Sequence, residues 1–552
     1  MTTATFFSRQ LFPNWPGQIA HKSFISVPGA RAACRATMAP PPPDAWADLP
    51  VFEKDLYMEH PAVTARSEAE TRAFRASRGI TVTDAPSRAG TSTPAPARSF
   101  EECSFPKYLH TQLLASGFRE PSPVQAQAWP LVLSGRNLVA VAATGSGKTL
   151  AYALPAVVHV NAQPYLDERN GDGPIVVVLA PTRELVAQIA AVFQTYAASS
   201  KITTVAVYGG APRAPQQKLL RQKTCEVIAA TPGRLLDFVD AGDVSLATRV
   251  TFLVVDEADR MLDLGFEPQI RKISEEIRPD RQTLMFTATW PRAVAAAAAA
   301  LCPDAASLRV SQSGAQSSDQ SSDALSGSLH AHLPADVKHV LELVSERDKY
   351  ARLVSVLETR LESGEEKNGR APGDAAPGDA RRVVVFFSSK ARADDATRAL
   401  RADGFPALAM HGDKAQDERE WVLREFRDGT APVLLATDVA ARGLDVAGVF
   451  TVVNYDAPGS AEAFVHRVGR TGRRYTSVID PCGDETREAK RTKHDVNVTY
   501  TNGVGESESE ETYTFLCPSS RADAKVAGSL IRTLRANGRA VSDAVAAFAN
   551  GS

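Results

Sequence analysis

The residues with the clearest chemical signature lie at 142–149, where the chain reads Ala-Ala-Thr-Gly-Ser-Gly-Lys-Thr. Glycines at 145 and 147 allow backbone N–H groups to turn inward around phosphate oxygens, and a following helix adds partial positive charge. Such letters can arise by chance, but the apolar run Leu138–Val141 precedes them and the helix-compatible run Leu150–Val158 follows. The segment therefore predicts a P-loop that binds a nucleotide through Ala143, Thr144, Gly145, Ser146, Gly147, Lys148 and Thr149.

Two acidic residues follow another apolar run. Asp256 and Glu257 come directly after Phe252–Val255. An acidic pair is most often a solvated turn, but a P-loop needs an acidic partner at the end of a second strand. We expect Asp256 to hold Mg²⁺ together with the Thr149 hydroxyl, and Glu257 to orient or deprotonate an attacking water. With Lys148 on the phosphates, these residues predict Mg²⁺-dependent nucleotide hydrolysis.

Residues 256–259 spell D-E-A-D, and the ordered series of motifs along most of the chain resembles the DEAD-box RNA helicases. Residues 117–125 look like the Q motif of that family. A glutamine amide both donates and accepts, so it can bind the edge of adenine in two places. The resemblance implies this role for Gln125 and a stacking role for Phe100, although each residue taken alone would more often be a surface or core residue.

Three short motifs of the first half resemble the RNA-contacting segments of the family. They are Pro-Thr-Arg-Glu-Leu at 181–185, Gly-Gly at 209–210 and Thr-Pro-Gly-Arg at 231–234. Hydroxyls, glycine amides and arginines near helix starts suit a phosphodiester backbone, although each motif alone is an ordinary loop or cap. The resemblance implies RNA contacts by Pro181, Thr182, Arg183, Gly210, Thr231, Arg234 and, in the second half, Thr437.

The second half carries two motifs, at 436–445 and 466–473, that match the family almost letter for letter. Three arginines at a spacing of three ordinarily form a solvated helical face. Because glycines at 469 and 472 disfavour a stable helix, we instead predict a loop whose guanidiniums point across a cleft. The resemblance implies arginine fingers at Arg470 and Arg473, an interface shaped by His466 and Arg467, and nucleotide contacts at Gly443 and Asp445.

Two departures from the family pattern stand out. Thr287-Ala-Thr289 fills the family's Ser-Ala-Thr slot, which couples hydrolysis to strand separation, and we expect coupling to survive because the hydroxyl is kept. Residues 475–511 form a polar, acidic insertion directly behind the predicted finger arginines. This insertion is either a lineage-specific surface loop or translated intron, and the sequence leaves both open.

The elements that position these motifs are short apolar or β-branched runs alternating with helix-compatible stretches. Runs of this kind between helices are typical of buried parallel strands. The predicted strands are Leu138–Val141, Ile175–Leu179, Val227–Ala229, Phe252–Val255, Thr283–Phe286, Val383–Phe387, Ala407–Met410, Val433–Ala436, Val449–Val453 and Thr512–Phe515. The expected fold class is α/β, with two tandem RecA-like domains of parallel sheets flanked by helices and with flexible tails.

Composition shifts divide the chain into five segments. Residues 1–45 form a tail that is disordered, transit-like or an over-extended start before Met38, and 46–98 form a flank and linker. Helicase domain 1 is expected at 99–310, a Ser-rich linker at 311–328 and helicase domain 2 at 329–548. The flank resembles that of a subgroup of nuclear and nucleocytoplasmic enzymes, whereas a transit peptide would place the protein in a chloroplast or mitochondrion.

Composition argues against several other classes of protein. The chain has 552 residues, with 62 Lys and Arg against 64 Asp and Glu, which argues against nucleic-acid binding by bulk positive charge alone. Its six cysteines form no CxxC pair, which argues against a zinc module and a disulfide framework. No apolar run approaches the ~18–20 residues that span a bilayer, and Ala293–Cys302 reads as a core-packed helix.

The resemblance therefore implies an RNA-stimulated ATPase and ATP-dependent RNA helicase that uses ATP and Mg²⁺. We expect sequence-independent contacts to the RNA backbone and 2′-hydroxyls, a monomer, and ribonucleoprotein partners. Two alternatives remain open on the motifs alone. One is an ATP-gated RNA clamp with little strand separation, and the other is a DNA translocase, against which the D-E-A-D spelling and the Q motif argue.

Overall fold

The computed structural model describes residues 52–85, 87, 92–166, 173–222, 225–311, 333, 337–362, 381–438, 448–471 and 510–550. They form an N-terminal flank and two α/β domains, as the sequence predicts. The predicted tail at 1–45, the predicted linker beyond Ser311 and the inserted residues 475–509 lie outside the described residues.

The first domain is built on one large sheet. Its strands are β1 (Ile80–Thr83), β2 (Leu138–Val141), β3 (Val176–Leu179), β4 (Thr204–Val207), β5 (Val227–Ala230), β6 (Phe252–Val255), β7 (Gln282–Thr287) and β8 (Ala306–Val310). They form an eight-stranded sheet in the order β1-β8-β2-β7-β6-β3-β5-β4, in which β1 runs antiparallel to β8 and the other described pairs are parallel.

Helices cover both faces of this sheet. The flank contributes α1 (Pro61–Thr64) and α2 (Glu68–Ser77), and the domain contributes α3 (Lys107–Ala115), α4 (Pro123–Leu133), α5 (Lys148–Asn161), α6 (Arg183–Ala197), α7 (Arg213–Gln222), α8 (Pro232–Asp240), α9 (Ala258–Asp263), α10 (Glu267–Glu276) and α11 (Arg292–Leu301). Along β3, Val176 and Val178 enter one hydrophobic core, whereas Val177 and Leu179 enter the other. Burial of both faces explains why these strands read as continuous apolar runs.

The second domain repeats the plan with six strands. They are β9 (Val337–Leu343), β10 (Arg382–Phe387), β11 (Ala407–Met410), β12 (Val433–Thr437), β13 (Val449–Asn454) and β14 (Glu510–Leu516), in the parallel order β11-β12-β10-β13-β14-β9. Its described helices are α12 (Lys349–Glu362), α13 (Lys390–Ala402), α14 (Gln416–Asp428), α15 (Ala461–Val468), α16 (Arg521–Ala536) and α17 (Asp543–Asn550).

The N-terminal flank is part of the first domain as folded. Arg66 forms an ion pair with Glu102 at 2.6 Å, and Arg75 Nε donates to Gln127 Oε1 at 2.8 Å. Strand β1 then extends the sheet beside β8. These contacts join the flank to the first domain, and the boundary at residue 99 stays a prediction.

None of the helices in the described residues is long and apolar enough to cross a membrane, and the predicted core helix is present as α11. The cysteines that the structure describes, Cys103, Cys225, Cys302 and Cys517, are all buried and free.

Candidate functional site

The P-loop joins β2 to α5 at the carboxyl edge of the first sheet, as the sequence predicts. Gly145 and Gly147 have φ values of 76° and 92°, in the left-handed region that favours glycine. A Cβ atom at position 147 would lie 2.5 Å from Gln125 Nε2. The loop therefore depends on glycine both for its turn and for its close approach to α4.

The loop also leaves polar groups suited to a phosphate. Lys148 is buried, and its Nζ atom donates to the carbonyl oxygens of Ala142 at 2.8 Å and Ala143 at 3.2 Å. The buried Ser146 hydroxyl has no hydrogen-bond partner among the described residues. A lysine folded over its own loop, backed by an unpaired hydroxyl, fits a cradle that an anion completes.

The Q-motif residues lie beside the loop but contact protein atoms. Gln125 Oε1 accepts from the Ser122 amide at 3.0 Å, and its Nε2 donates to the Gly147 carbonyl at 3.1 Å. Phe100 is 3% exposed and packs near Trp129, with ring centroids 6.2 Å apart. The amide thus braces the P-loop, and the adenine-binding roles of both side chains stay predictions.

The acidic pair lies at the end of β6, next to the P-loop lysine. Asp256 Oδ1 accepts from the Glu257 amide at 2.9 Å, and Asp256 Oδ2 accepts from the Tyr152 hydroxyl at 2.9 Å. Burial raises the pKa of Asp256 to about 6, Lys148 opposes that rise and Glu257 adds to it. A carboxylate destabilised by burial is stabilised when a cation binds beside it.

The donor set fits Mg²⁺ better than a transition metal. No group of three or more His, Cys, Asp or Glu side chains within the described ranges could hold a metal ion. Mg²⁺ is usually bound through one or two carboxylates together with substrate phosphates and waters, rather than in an all-protein cage. Asp256 and the Thr149 hydroxyl offer the hard oxygen ligands that such a site requires.

The second domain meets this site through α15 and the residues after it. The Thr144 hydroxyl of the P-loop donates to the Gly469 carbonyl at 3.3 Å. His466 Nε2 lies 3.2 Å from Asp259 Oδ2, the last carboxylate of the D-E-A-D sequence. The same Asp259 oxygen accepts from the Thr289 amide at 2.9 Å and hydroxyl at 2.7 Å. One carboxylate therefore links three motifs across two domains.

The protonation state of this link follows from burial. Burial lowers the pKa of His466, and the nearby Arg260 guanidinium lowers it further. The imidazole is therefore neutral near pH 7, and we assign its proton to Nε2 because Asp259 Oδ2 can only accept there.

The arginine series differs in part from its prediction. Helix α15 begins after its N-cap residue Ser460 and continues to Val468, so that Arg467 lies within the helix. Its guanidinium is buried in the second domain, with Nε 2.6 Å from Asp438, so the prediction of a loop arginine pointing across a cleft is wrong at this position. Arg470 follows the helix, is 4% exposed and donates from Nε to the His466 carbonyl at 3.1 Å.

Three predicted nucleotide-site residues lie outside the described residues. They are Arg473, Gly443 and Asp445. Their roles stay predictions from sequence.

The predicted RNA-contacting residues of the first domain come together on one surface. Thr182 caps α6, and a Cβ atom at Gly210 would lie 3.0 Å from Arg183 Nη1. The Thr231 hydroxyl accepts from the Gly209 amide at 3.3 Å, and both Arg234 Nη atoms donate to the Ala211 carbonyl at 3.1–3.2 Å. Residues 181–183, 209–211 and 231–234 therefore form one cluster of loops and helix starts.

The matching residue of the second domain is Thr437, which is the last residue of β12 and is mostly buried. Near the first-domain cluster, Arg419 of α14 forms an ion pair with Glu184 at 2.5 Å. This pair is a third contact between the domains, beside the predicted RNA surface.

Sequence reasoning missed one residue of the site, Tyr152, which is fully buried and donates to Asp256. Burial and the Asp256 carboxylate raise the pKa of Tyr152, so its hydroxyl keeps the proton that it donates. The available signal was a tyrosine one helical turn after Lys148, but helical spacing alone does not distinguish it from a core aromatic residue.

The fold and the site together are those of a two-domain P-loop protein. The model of the DEAD/DEAH box helicase family matches residues 122–297, and the model of the helicase conserved C-terminal domain matches residues 377–475. ATP-dependent RNA helicase DBP2 from Chaetomium thermophilum is 47% identical over 429 residues, which cover 77% of this chain and 70% of that protein. DEAD-box ATP-dependent RNA helicase 20 from Arabidopsis thaliana is 46% identical over 425 residues, which cover 77% of this chain and 76% of that protein.

The chain belongs to the DEAD/DEAH box helicase family. A solved structure described as S. cerevisiae Dbp5 bound to RNA and ADP BeF3 covers 82% of this chain and 100% of its own, with a TM-score of 0.59 and 24% identity. That similarity concerns the fold, and it confirms the predicted pair of RecA-like domains.

Proposed function

We propose that this protein is an ATP-dependent RNA helicase, an RNA-stimulated ATPase that couples hydrolysis to separation of short RNA duplexes or remodelling of ribonucleoprotein. Membership of the family supports this activity, and the relatives named above carry it in their names. The observation that supports it most directly is the contact of Asp259 with both Thr289 and His466. A single carboxylate of the D-E-A-D motif thereby contacts both the Thr-Ala-Thr motif of the first domain and a histidine of the second domain.

The nucleotide is bound by the first domain in this proposal. Backbone amides of residues 143–149 and the Lys148 ammonium surround the phosphates, while Gln125 and Phe100 contact the adenine. Thr149 and Asp256 would hold Mg²⁺, which would neutralise charge on the nucleotide phosphates. The buried Asp256 and the unpaired Ser146 hydroxyl support this assignment.

Hydrolysis uses groups from both sides of the cleft. Glu257 orients the attacking water and accepts its proton on the carboxylate. Arg470 and Arg473 of the second domain stabilise the charge that develops on the γ-phosphate, with Gly443 and Asp445 near the nucleotide. Arginine fingers of P-loop enzymes contribute roughly 10³–10⁵ in kcat, so hydrolysis requires the two domains to be close.

RNA is bound through its backbone, independently of sequence. Supporting groups are Pro181, Thr182, Arg183, Gly210, Thr231 and Arg234 of the first domain and Thr437 of the second. Hydroxyls, guanidiniums and helix N-termini suit phosphates and 2′-hydroxyls rather than base edges. The near-neutral net charge of −2 is compatible with this mode, because a few placed residues do the binding.

ATP and RNA act together because each contacts both domains. A ligand that prefers the closed arrangement shifts the equilibrium toward it, and by linkage each ligand raises the affinity for the other. Closure bends one RNA strand so that a short duplex cannot stay paired. Loss of phosphate after hydrolysis removes the finger contacts and reopens the cleft.

The compartment and assembly state belong to the same proposal. We place the protein in the nucleus or cytoplasm, as a monomer that meets protein partners within ribonucleoprotein particles. The resemblance of residues 46–82 to the flank of nuclear and nucleocytoplasmic enzymes supports this location. Imaging of a C-terminally tagged full chain tests it, and an organellar signal would favour the transit-peptide alternative.

RNA-stimulated ATPase activity tests the proposed enzyme. Steady-state hydrolysis is measured with single-stranded RNA, single-stranded DNA and double-stranded DNA, for wild type, Lys148→Ala and Lys272→Ala. Lys272 is a matched surface lysine of the first domain, paired with the exposed Asp240. We expect RNA to stimulate the wild type and Lys272→Ala alike and Lys148→Ala to be inactive, whereas stimulation by double-stranded DNA alone would contradict the proposal.

A further inference from the structure

The P-loop helix and the acidic strand end are joined by a buried hydrogen bond that the helicase motifs do not include. Tyr152 lies in α5, one turn after Thr149, and is fully buried. Its hydroxyl donates to Asp256 Oδ2 at 2.9 Å. The phenol oxygen therefore contacts one of the two side chains that the proposed function assigns to Mg²⁺.

The surrounding packing holds this phenol in place. The Tyr152 ring packs at a tilt against Phe286 of β7, with centroids 5.3 Å apart. Strand β7 lies next to both β2 and β6, which end at the P-loop and at Asp256. The hydroxyl is thus fixed relative to both halves of the phosphate site by the core of the domain.

The remaining contacts of Asp256 explain why this bond matters. Its other oxygen, Oδ1, accepts from the Glu257 amide at 2.9 Å, which fixes one end of the carboxylate but not its rotation toward the P-loop. A carboxylate has about four lone-pair sites, so one bond to each oxygen leaves room for a cation. With the Tyr152 bond in place, the carboxylate has a single orientation before any ligand arrives.

We propose that Tyr152 is a positioning residue for the Mg²⁺ site, which fixes the orientation of the Asp256 carboxylate. This inference depends on the proposed function, because it assumes that Asp256 binds Mg²⁺. Metal ligands that are already oriented lose less freedom when the cation binds. Removal of the phenol oxygen should therefore weaken the binding of Mg²⁺ more than the binding of the nucleotide.

Substitution of the hydroxyl alone gives the test. The full chain with Tyr152→Phe keeps the ring and its volume and loses only the donor. Binding of a fluorescent ADP analogue is followed while Mg²⁺ is titrated, and again in EDTA without Mg²⁺. We expect the half-saturating Mg²⁺ concentration to rise by roughly tenfold, within the 10- to 100-fold effects typical of residues that orient metal ligands. Affinity in EDTA should stay within about twofold of wild type, since the phosphate cradle itself is intact.

A second tyrosine provides the matched control. Tyr196 is also buried in the first domain, and its hydroxyl lies 3.1 Å from Ser116 Oγ, away from the nucleotide site. Tyr196→Phe should leave the Mg²⁺ titration unchanged. An equal shift in both variants, or a loss of affinity in EDTA with no shift in Mg²⁺ dependence, would show a general structural role and overturn the proposal.

A double-mutant cycle separates this inference from the function on which it depends. In an Asp256→Asn background, Tyr152→Phe should cause no further shift, because its partner for positioning is already lost. Additive shifts would overturn the inference. If Asp256→Asn itself left the Mg²⁺ dependence at the wild-type value, the assignment of the metal site would fail instead. The electron paramagnetic resonance spectrum of Mn²⁺ bound with ADP gives an independent readout, which should broaden in Tyr152→Phe but not in Tyr196→Phe.

Discussion

The P-loop and the second domain touch at a residue that has no side chain. Gly469 follows α15, and its carbonyl accepts from the Thr144 hydroxyl. A Cβ atom at position 469 would lie 1.8 Å from Thr144 Oγ1 and 3.2 Å from the Val465 carbonyl. Glycine is therefore required here for the approach of one domain to the other, rather than for an unusual φ.

Gly469→Ala should separate nucleotide binding from hydrolysis. Overpacking costs about 1–3 kcal/mol, and here that cost falls on the closed arrangement of the domains. We expect RNA-stimulated kcat to fall about 10- to 100-fold, since each 1.36 kcal/mol is a factor of ten, while ADP affinity stays within about twofold.

The control for this variant is Gly528→Ala, in α16 of the same domain. A Cβ atom there would have only Arg532 Nη1 nearby, at 3.8 Å, and alanine is the better helix residue. A kcat for Gly469→Ala within twofold of wild type would show that the contact with Thr144 does not limit closure.

Much of the residue-scale site could be predicted, because its chemistry lies in contiguous motifs. The P-loop glycines, Lys148 and Asp256 are where the sequence places them. Tyr152 and the contact between Asp259 and His466 could not be predicted in this way. Each joins residues that are far apart in sequence, and only packing brings them into contact.

At the scale of elements, the strands buried on both faces were the predictable ones. β2, β6 and β11 have the predicted bounds, and the other predicted strands differ only at their ends. The second-domain strand β14 begins at Glu510, so the last two residues of the predicted insertion belong to the sheet.

The strands that sequence reasoning missed are β1, β4, β8 and β9. Each is partly exposed and carries polar residues, as Thr204–Val207 and Val337–Leu343 illustrate. Three of them, β1, β4 and β9, lie at the edges of their sheets. An edge strand is not covered on both faces, so its sequence does not form a continuous apolar run.

One tight contact lies at the start of the flank strand. Gly79 precedes β1 with φ at 63°, and its carbonyl accepts from the Ser311 amide at 2.8 Å, where the described part of the first domain ends. A Cβ atom at position 79 would lie 1.7 Å from the Ser311 carbonyl oxygen. The flank thus fixes the point from which the predicted linker departs.

Gly79→Ala should loosen this end of the sheet. A left-handed backbone costs alanine roughly 1–2 kcal/mol, and the clash adds about 1–3 kcal/mol. Urea unfolding should show the summed loss in the free energy of unfolding, and the Ser311 amide should exchange hydrogen faster.

Gly117→Ala is the matched control for the backbone term. Gly117 has φ at 81°, and a Cβ atom at this position would have no described atom within 4 Å, so only the conformational cost applies. Equal losses in the two variants would show that the contact with Ser311 contributes nothing.

At the scale of the whole molecule, the two domains meet through named contacts on both the nucleotide and the RNA side. Thr144 with Gly469 and Asp259 with His466 lie at the nucleotide, and Glu184 with Arg419 lies beside the predicted RNA surface. The sequence predicted two similar domains in order, but it could not show which residues would meet, since contact between domains has no local signature. Coupling of ATP to RNA is the property that such paired contacts support.

Displacement of a short RNA duplex by wild type and Glu257→Gln tests the proposed coupling most directly. We predict displacement by wild type only with ATP and Mg²⁺. Glu257→Gln should bind ATP, retain single-stranded RNA as long as ATP is present, and lose roughly 10²-fold or more of its hydrolysis rate, as expected for loss of a general base. Hydrolysis by Glu257→Gln at the wild-type rate, or duplex displacement by wild type without ATP, would contradict this mechanism.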